Sequence, residues 1–441
     1  MIKFLIIIFF INFILIKNKI IIFYYNLYYL ISLIILFIYI FKDIIWNRIV
    51  INIGIEYYSI WLLILSVWIV SLIIICLDKK DIKVMFMFIN LLFLLLMFFL
   101  SIDLIIFYLI FEIRLIPTFF LIIYWGSNIE RVGASYYLII YILFISFPLL
   151  VYIIKIYNYS LTLKFRLLGT IIYIYIYSFG GFLFVYMSFF IKMPIYIIHV
   201  WLPKAHVEAP VYGSIILAGV LLKIGRYGLL RLMEIFIFIT MRFNYLIFRI
   251  GIVGRFIVGV LCLVQIDMKR LVAYSSVVHI NIMLCSFMRI FKLGVLGAYI
   301  IIISHGLCSS GLFYMVNLYY SRTGSRLLVF NKGIIRKLPS FTVWWFLLCV
   351  ANFSFPFSLN FFRELIILRV ILNWNLYIII YLILICFFRS AYSLYLFSYI
   401  QHGPKRFSKR YFNIGLIKEF LMLVIHFYPL IIFILNLIIF I

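Results

Sequence analysis

The sequence predicts an all-α membrane protein with about fourteen transmembrane helices. Hydrophobic residues make up 68% of the 441 residues, charged residues only 11%, and the mean hydropathy is +1.29. Soluble domains are about half apolar and about a quarter charged, so no water-soluble fold could bury this much apolar surface. Lipid must therefore be the solvent for most of the chain. An open sheet would leave backbone groups unpaired in lipid, so the spanning elements are predicted to be helices.

Apolar runs between polar interruptions mark the individual spans, because a helix needs about 20 apolar residues to cross a bilayer. The predicted spans are 2–16, 20–41, 57–77, 83–100, 102–124, 133–156, 171–207 (interrupted), 210–233, 244–264, 268–290, 293–319, 338–372 (interrupted), 374–400 and 416–440. The longest polar stretch, from Ser321 to Pro339, is predicted to be a loop, so no soluble domain is expected. The first apolar run is predicted to be a span rather than a signal peptide, because no polar mature region follows it.

Two of these spans are longer than one crossing requires, and both contain proline. One holds Lys192-Met193-Pro194 and the other holds Asn352 to Pro356. Proline lacks a backbone donor and clashes with the preceding turn. Each site is therefore either a simple kink or a discontinuous helix whose free backbone ends line an ion site. An ionisable residue near each break, Lys192 in one half and Glu364 in the other, favours the discontinuous helix and suggests an internal repeat.

Ionisable residues deep inside predicted spans are the candidates for chemistry, since such a side chain at mid-membrane costs at least about 2.5–3.5 kcal/mol. Burial disfavours the charged form of an acid or a base by up to about 3–5 pKa units. Buried groups of both kinds can then exchange protons near neutral pH, and a chain of them can hand protons along. The candidates are Glu112, Lys192, Lys223, His279, His305 and Glu364.

The first three candidates also have structural interpretations. Glu112 could pair with Arg114, although side chains two residues apart on a helix point to different faces. Lys192 and Lys223 could extend their ammonium groups to the membrane surface. Apolar residues occupy several turns before Lys223, and Ala218-Gly219 one turn earlier would let a neighbouring helix approach closely, which favours burial of Lys223.

The last three candidates leave similar alternatives open. A lone buried histidine is commonly a hydrogen-bonded core residue, but His279 and His305 lie in adjacent predicted spans, which makes a relay equally reasonable. Glu364 could form a structural pair with its neighbour Arg363.

Other chemistry finds little support. The net charge of +26 comes from Lys and Arg scattered between apolar runs, whereas a nucleic-acid-binding protein concentrates them on one face or tail. Nucleotide-binding motifs and the HExxH zinc motif are absent from the sequence. His199 and His206 are seven residues apart across a proline and lack further zinc ligands. The six cysteines lie apart, almost all in apolar runs. We therefore expect no metal, cofactor or redox centre in this chain.

The residues around the first break carry a specific resemblance. Lys192-Met193-Pro194 is followed at 199–210 by His-Val-Trp-Leu-Pro-Lys-Ala-His-Val-Glu-Ala-Pro, and residues 221–225 read Leu-Leu-Lys-Ile-Gly. This run resembles the signature of the NADH–ubiquinone oxidoreductase chain 4 family, the antiporter-like membrane subunits of a respiratory complex. Supporting matches lie at 111–112, 115–118, 213–214, 217–219, 267–276 and 304–307. The resemblance covers most of the chain and is weak near both ends.

The resemblance implies a fold with two inverted five-helix repeats, each containing a broken helix. The implied division is N-terminal transmembrane helices at 1–82, a first repeat at 83–233, a second, inverted repeat at 244–400, and a C-terminal loop and helix at 401–441.

The resemblance also implies roles for the six candidates. Glu112, Lys192 and Lys223 match the family's proton-transfer core. His279, His305 and Glu364 match its downstream relay. Two positions depart from the family pattern, because Arg226 and Arg363 stand where glycine is usual. Each places a guanidinium close to a relay residue and could alter its protonation or the exit of the relay.

The expected function is that of a proton-translocating subunit of respiratory NADH:ubiquinone oxidoreductase, driven by electron transfer in other subunits. NADH, flavin, iron–sulfur clusters and ubiquinone are then expected in those subunits and not in this chain. The expected partners are the other membrane subunits, the lipid bilayer and protons, without nucleic acid. Residues with A/T-rich codons are abundant, with 49 Phe and 35 Tyr against 21 Gly and 9 Pro. This bias suggests an organellar genome. Together with the resemblance, it implies a multi-pass protein of the mitochondrial inner membrane. The alternatives are a cation/proton antiporter subunit and a purely structural membrane scaffold.

Overall fold

The computed structural model describes residues 21–39, 47–50, 53–77, 82–126, 128, 130–171, 179–404, 415–435 and 437–440. Helices dominate this part of the chain, which confirms the predicted all-α membrane fold class. Nine of the described helices are long and apolar enough to cross a membrane, with Leu104–Trp125 taken as one. The predicted span 2–16 and most of the C-terminal loop lie outside the described residues.

The chain forms two compact units. The first contains Met1–Lys192 and Glu208–Thr240, and the second contains Met193–Val207 and Met241–Ile441. The division into four parts at 1–82, 83–233, 244–400 and 401–441 remains a prediction.

The first unit is built from helices that overlap the predicted apolar runs. They are α1 (Ile21–Tyr39), α2 (Tyr57–Cys76), α3 (Ile82–Leu100), α4 (Leu104–Ile113), α5 (Leu115–Trp125), α6 (Arg131–Ser160), α7 (Phe165–Ile171), α8 (Phe179–Lys192), α10 (Val211–Ile216) and α11 (Leu222–Ile235), with the π-helical segment Leu217–Leu221 between the last two. Among them, α2 packs against α1, α3 and α10, and α8 packs against α6 and α11.

The second unit centres on one long helix. Its elements are α9 (Trp201–Glu208), α12 (Ile237–Val264), α13 (Met268–Phe287), α14 (Lys292–Thr323), α15 (Pro339–Asn352), α16 (Leu359–Leu372), α17 (Ile379–Gln401) and α18 (Ile417–Leu435), with 3-10 turns at Tyr196–Ile198, Leu328–Phe330, Ile334–Arg336, Leu376–Ile378 and Leu437–Phe440. The last residue of α9 and the first turn of α12 belong to the first unit. Helix α14 packs against α13, α15, α16 and α18, so most of its side chains are buried.

Both predicted breaks are true interruptions of the helix and not kinks. Helix α8 ends at Lys192, and the chain passes through the extended residue Ile195 before α9 begins. Helix α15 ends at Asn352, and α16 begins only at Leu359. Pro148 and Pro429, by contrast, lie inside continuous helices. A proline alone therefore does not break a helix in this protein.

The second break stores backbone strain. Ser354 has φ of 65° and Phe357 has φ of 72°, in the left-handed region that residues with a Cβ avoid. Such conformations persist only where the surrounding contacts hold them, and they cluster at functional sites.

Two features differ from the predictions. An antiparallel hairpin of β1 (Asn47–Val50) and β2 (Ile53–Ile55) lies between two spans, where the chain is free of the requirement for helix in lipid. The predicted span 102–124 is divided at Arg114 into α4 and α5. Pro117 explains this division, because it has no N–H to donate to the carbonyl of Ile113.

Candidate functional site

A buried ion pair occupies the first unit where α8 ends. Lys192 Nζ lies 3.3 Å from Glu112 Oε1 and donates to the carbonyl of Phe111 at 3.1 Å. The ammonium also lies over the Phe111 ring. Lys192 is 3% exposed, so its ammonium group does not extend to the membrane surface, and that interpretation is wrong. Its position in the last turn of α8 places a cation at the negative end of the helix dipole.

The alternative pairing of Glu112 with Arg114 is also wrong. The Arg114 Nε group donates to the carbonyl of Phe111 at 2.9 Å, and its guanidinium lies over the rings of Phe98 and Phe111. Glu112 Oε2 has no hydrogen-bond partner within the described chain. One carboxylate oxygen therefore holds Lys192 while the other can take up a proton.

Lys223 is fully buried in the same unit. It lies two residues after the end of the π-helical segment Leu217–Leu221. Its ammonium donates to the carbonyl of Ala218 inside that segment. A side chain at Gly219 would overlap Ile69 of α2, so the expected close helix approach exists at this point. The ammonium group of Lys223 therefore does not extend to the membrane surface, so that interpretation is wrong and the charge lies inside the protein.

Arg226 lies one turn after Lys223 on α11 and is fully buried. Within the described residues, none of its three guanidinium nitrogens has a hydrogen-bond partner. The sequence singled out this arginine as a departure from the family pattern, and the structure places a second buried cation on the helix that carries Lys223.

A further charged cluster in the first unit was missed by the sequence analysis. Arg231 forms an ion pair with Glu56, and its Nε donates to the Tyr227 hydroxyl at 2.8 Å. Tyr227 in turn donates to the carbonyl of Phe99 at 3.2 Å. Glu56 lies just before the predicted span 57–77 and Arg231 lies near the end of the predicted span 210–233, so neither was a candidate deep inside a span. Their burial was the missing information, because both are at most 5% exposed.

In the second unit, the two predicted relay histidines lie side by side. The rings of His279 on α13 and His305 on α14 have centroids 5.1 Å apart. His279 Nε2 lies 3.0 Å from Asn352 Oδ1, at the end of α15 where the second break begins. The structure therefore brings both histidines to this break.

The same break holds Glu364 between arginines. Arg255 Nη2 on α12 donates to Glu364 Oε1 at 3.0 Å, and Arg389 on α17 binds Oε2. The hydroxyl of Ser354, a residue with strained backbone, also donates to Oε2. Arg389 additionally donates from Nε and Nη2 to the carbonyl of Asn352, at 3.1 and 2.5 Å. A backbone acceptor freed by the break is thus satisfied by a buried cation, as a discontinuous helix requires.

The sequence left open a structural pair of Glu364 with Arg363, and the ion pairs of Glu364 in the structure are with other arginines. Arg363 Nη2 lies 3.3 Å from His279 Nδ1, while the partners of Glu364 are Arg255 and Arg389. Both of these arginines lie within predicted spans. The cost of burying a charge at mid-membrane marks them as candidates for chemistry as well.

In the described ranges, no group of three or more His, Cys, Asp or Glu side chains could hold a metal ion. His199 contacts the carbonyl of Tyr196, and the His206 ring stacks on Phe313 with centroids 4.5 Å apart. The expectation of a chain without cofactor or metal remains a prediction.

The comparisons with known proteins give the family. The family described as NADH:quinone oxidoreductase/Mrp antiporter, transmembrane, matches residues 101–388. NADH-ubiquinone oxidoreductase chain 4 from Ceratitis capitata is 43% identical over 387 residues, covering 86% of this chain and 85% of the relative. This chain belongs to the NADH-ubiquinone oxidoreductase chain 4 family. The chain 4 proteins of Aedes aegypti and Apis mellifera ligustica are 46% and 40% identical, and they cover 73% and 87% of this chain and 72% and 86% of their own lengths.

Solved structures share the fold of this chain 4 family member at low sequence identity. A chain of respiratory complex I from Thermus thermophilus matches with a TM-score of 0.84 and 19% identity, covering 95% of this chain and 91% of that one. A chain of the archaeal membrane-bound sulfane sulfur reductase matches equally well, covering 95% of this chain and 72% of its own. These likenesses concern the fold alone.

Proposed function

We propose that this chain is a proton-translocating membrane subunit of respiratory NADH:ubiquinone oxidoreductase. The observation that carries the proposal is the Glu112–Lys192 ion pair, which is buried where a spanning helix is broken. An ion pair in such a place is costly to bury, and a membrane protein that only fills space gains nothing from that cost. The names of the chain 4 relatives support the assignment to this complex.

The pair in the first unit carries the proton-transfer step. Transfer of a proton from Lys192 to Glu112 converts the ion pair into a neutral amine and a neutral carboxylic acid. The second oxygen of Glu112, without a partner in the described residues, is then open to exchange with the next carrier. Moving one charge across 100 mV costs about 2.3 kcal/mol, which is comparable to the energy of switching one buried ion pair. In this proposal Lys223, in the same unit, is the next proton carrier after Glu112.

The cluster in the second unit continues the relay. Imidazole groups at His305 and His279 pass protons between their ring nitrogens, since each ring can accept at one nitrogen and donate from the other. Glu364 is held by Arg255 and Arg389, so its carboxylate acts as the fixed counter-charge of this cluster. A change in these ion pairs shifts the charge that the histidines experience and so drives the proton onward.

The chemistry of electron transfer belongs to other subunits in this proposal. NADH, flavin, iron–sulfur clusters and ubiquinone are bound there, and this chain contributes no redox centre. Its partners are the other membrane subunits of the complex and the lipid of the mitochondrial inner membrane. The apolar side chains exposed on α6 and α17, such as Phe144 and Phe387, suit contact with either lipid or those subunits.

A native gel of the source organelle's membranes tests membership of the complex. We expect mass spectrometry to find this chain only in the large band that stains for NADH oxidation, because the chain would be an integral subunit. The control is a known matrix protein, which must be absent from that band. A smaller band that contains this chain and lacks the activity would contradict the proposal.

A cation/proton antiporter is the second candidate, because the description of the matching family includes Mrp antiporters. It predicts sodium-dependent proton exchange by vesicles that contain this chain, in the absence of NADH. Proton movement that requires NADH and is indifferent to sodium would exclude it.

A further inference from the structure

Arg363 lies inside the second unit in a position that the proposed relay does not explain. It sits on α16 and is 1% exposed. Its Nε donates to the carbonyl of Asn360 at 3.2 Å, and its Nη2 lies 3.3 Å from His279 Nδ1. The adjacent Glu364 points to different partners. The guanidinium therefore reaches His279, while the ion pairs of Glu364 are with other arginines.

The chemistry of the two groups fixes the direction of this hydrogen bond. A guanidinium has only donors and keeps its protons in proteins, so His279 Nδ1 must be the acceptor. The ring proton then resides on Nε2, which faces Asn352 Oδ1 at 3.0 Å. Both ring nitrogens are engaged in this arrangement. A relay histidine has to accept a proton at one nitrogen and release one from the other, and here the accepting nitrogen is blocked.

The charges around His279 act in the same direction. Arg363 on α16 and His305 on α14 contact the ring, and the charges of Arg389 on α17 and Arg255 on α12 also act on it. The carboxylate of Glu364 is already bound by Arg255 and Arg389. A second proton on His279 would add a cation to three buried guanidinium groups, two of which are paired with this one carboxylate. A proton can therefore enter the ring only when Arg363 withdraws.

We infer that Arg363 is a positioning residue that holds His279 in the Nε2–H tautomer and closes it to proton transfer until their hydrogen bond breaks. This inference rests on the proposed function, because it assigns a state to one residue of the proposed relay. Motion of the Arg363 side chain away from His279 opens the relay, and its return closes it. The alternative role of Arg363 is to brace α16 through the carbonyl of Asn360 alone.

Infrared difference spectroscopy of the assembled complex tests the tautomer directly. The imidazole ring-stretching band differs between the two neutral tautomers, and isotope-labelled histidine together with a His279→Gln variant identifies the band of His279. We expect the wild-type complex to show the Nε2–H band. In Arg363→Leu, part of this band should be replaced by the Nδ1–H band. In Arg363→Lys, the Nε2–H band should return, because a lysine ammonium can donate to Nδ1. An Nδ1–H band in the wild type, or an unchanged band in Arg363→Leu, would overturn the inference. If Arg363→Leu does not assemble, the wild-type and Arg363→Lys spectra still decide the tautomer.

The H+/NADH ratio of the same complexes in proteoliposomes tests the closure. We expect Arg363→Leu to lower the ratio while NADH oxidation continues, since an open relay lets protons slip back, and we expect Arg363→Lys to restore it. A changed tautomer with an unchanged ratio would overturn the closing role. Pumping at the full ratio by His279→Gln would contradict the proposed function. That outcome would not affect the result for the tautomer.

Discussion

Replacing Glu112 with glutamine is expected to slow proton transfer through the first unit by about a hundredfold or more while the complex still assembles. Glutamine keeps the shape of the side chain but cannot take up the proton that Lys192 releases. Lys192 loses its carboxylate partner, whose removal costs about 3–5 kcal/mol if the ammonium stays charged. An equal rise in the barrier slows the step by about a hundredfold or more. The lysine can instead lose its proton, so the fold is retained.

The H+/NADH ratio of proteoliposomes that contain the Glu112→Gln complex measures this effect. Glu419→Gln is the matched control, because Glu419 also forms a largely buried ion pair, with Arg322 at 2.5 Å, and lies outside the proposed relay. We expect the control to pump at the wild-type ratio. Full pumping by Glu112→Gln would remove Glu112 from the mechanism.

Replacing Glu364 with glutamine is expected to have the largest effect on stability. The change leaves two buried arginines, Arg255 and Arg389, without the carboxylate that pairs with them. Within the described residues, the two other guanidinium nitrogens of Arg255 have no hydrogen-bond partner, so no other described contact compensates for the loss of the carboxylate. Breaking a buried pair from one side costs about 3–5 kcal/mol. The amount of assembled complex on native gels should fall strongly, and the temperature of thermal inactivation should fall with it.

Two further variants decide whether the missing counter-charge is the cause. Removing a second charge, in Glu364→Gln with Arg255→Gln, should recover part of the assembled complex. Asp267→Asn is the control, because Asp267 pairs with Arg270, whose side chain is 52% exposed, and such surface pairs contribute about 0–1 kcal/mol. Wild-type assembly of the single Glu364→Gln variant would show that the cluster does not depend on this carboxylate.

The fold class and the positions of most spans could be predicted from the sequence because apolar length decides them. The predicted spans 57–77, 83–100 and 268–290 correspond to α2, α3 and α13 with small shifts at their ends. The two breaks could also be located, since proline and an ionisable residue coincide there. The sequence could not separate a break from a kink, because that depends on whether side chains such as Arg389 satisfy the freed backbone groups.

The partners of the buried charges could not be predicted from the sequence. Arg231 binds Glu56 although 175 positions separate them, and no local pattern reports such a contact. Arg363 and Glu364 are neighbours in the chain, yet their side chains leave α16 in different directions and meet different helices. Individual residues in spans can be singled out by the cost of burying them. Their pairing is set by helix packing, which the sequence does not show directly.

The H+/NADH ratio of the complex with Lys223→Met tests the central claim, that this chain carries protons, most directly. Lys223 is fully buried, and its ammonium donates to the carbonyl of Ala218 in the π-helical segment of the first unit. Lys204→Met, on an exposed lysine of α9, is the control. The account predicts that both complexes assemble and that only Lys223→Met pumps at a lower ratio. A normally assembled Lys223→Met complex that pumps at the wild-type ratio would contradict it.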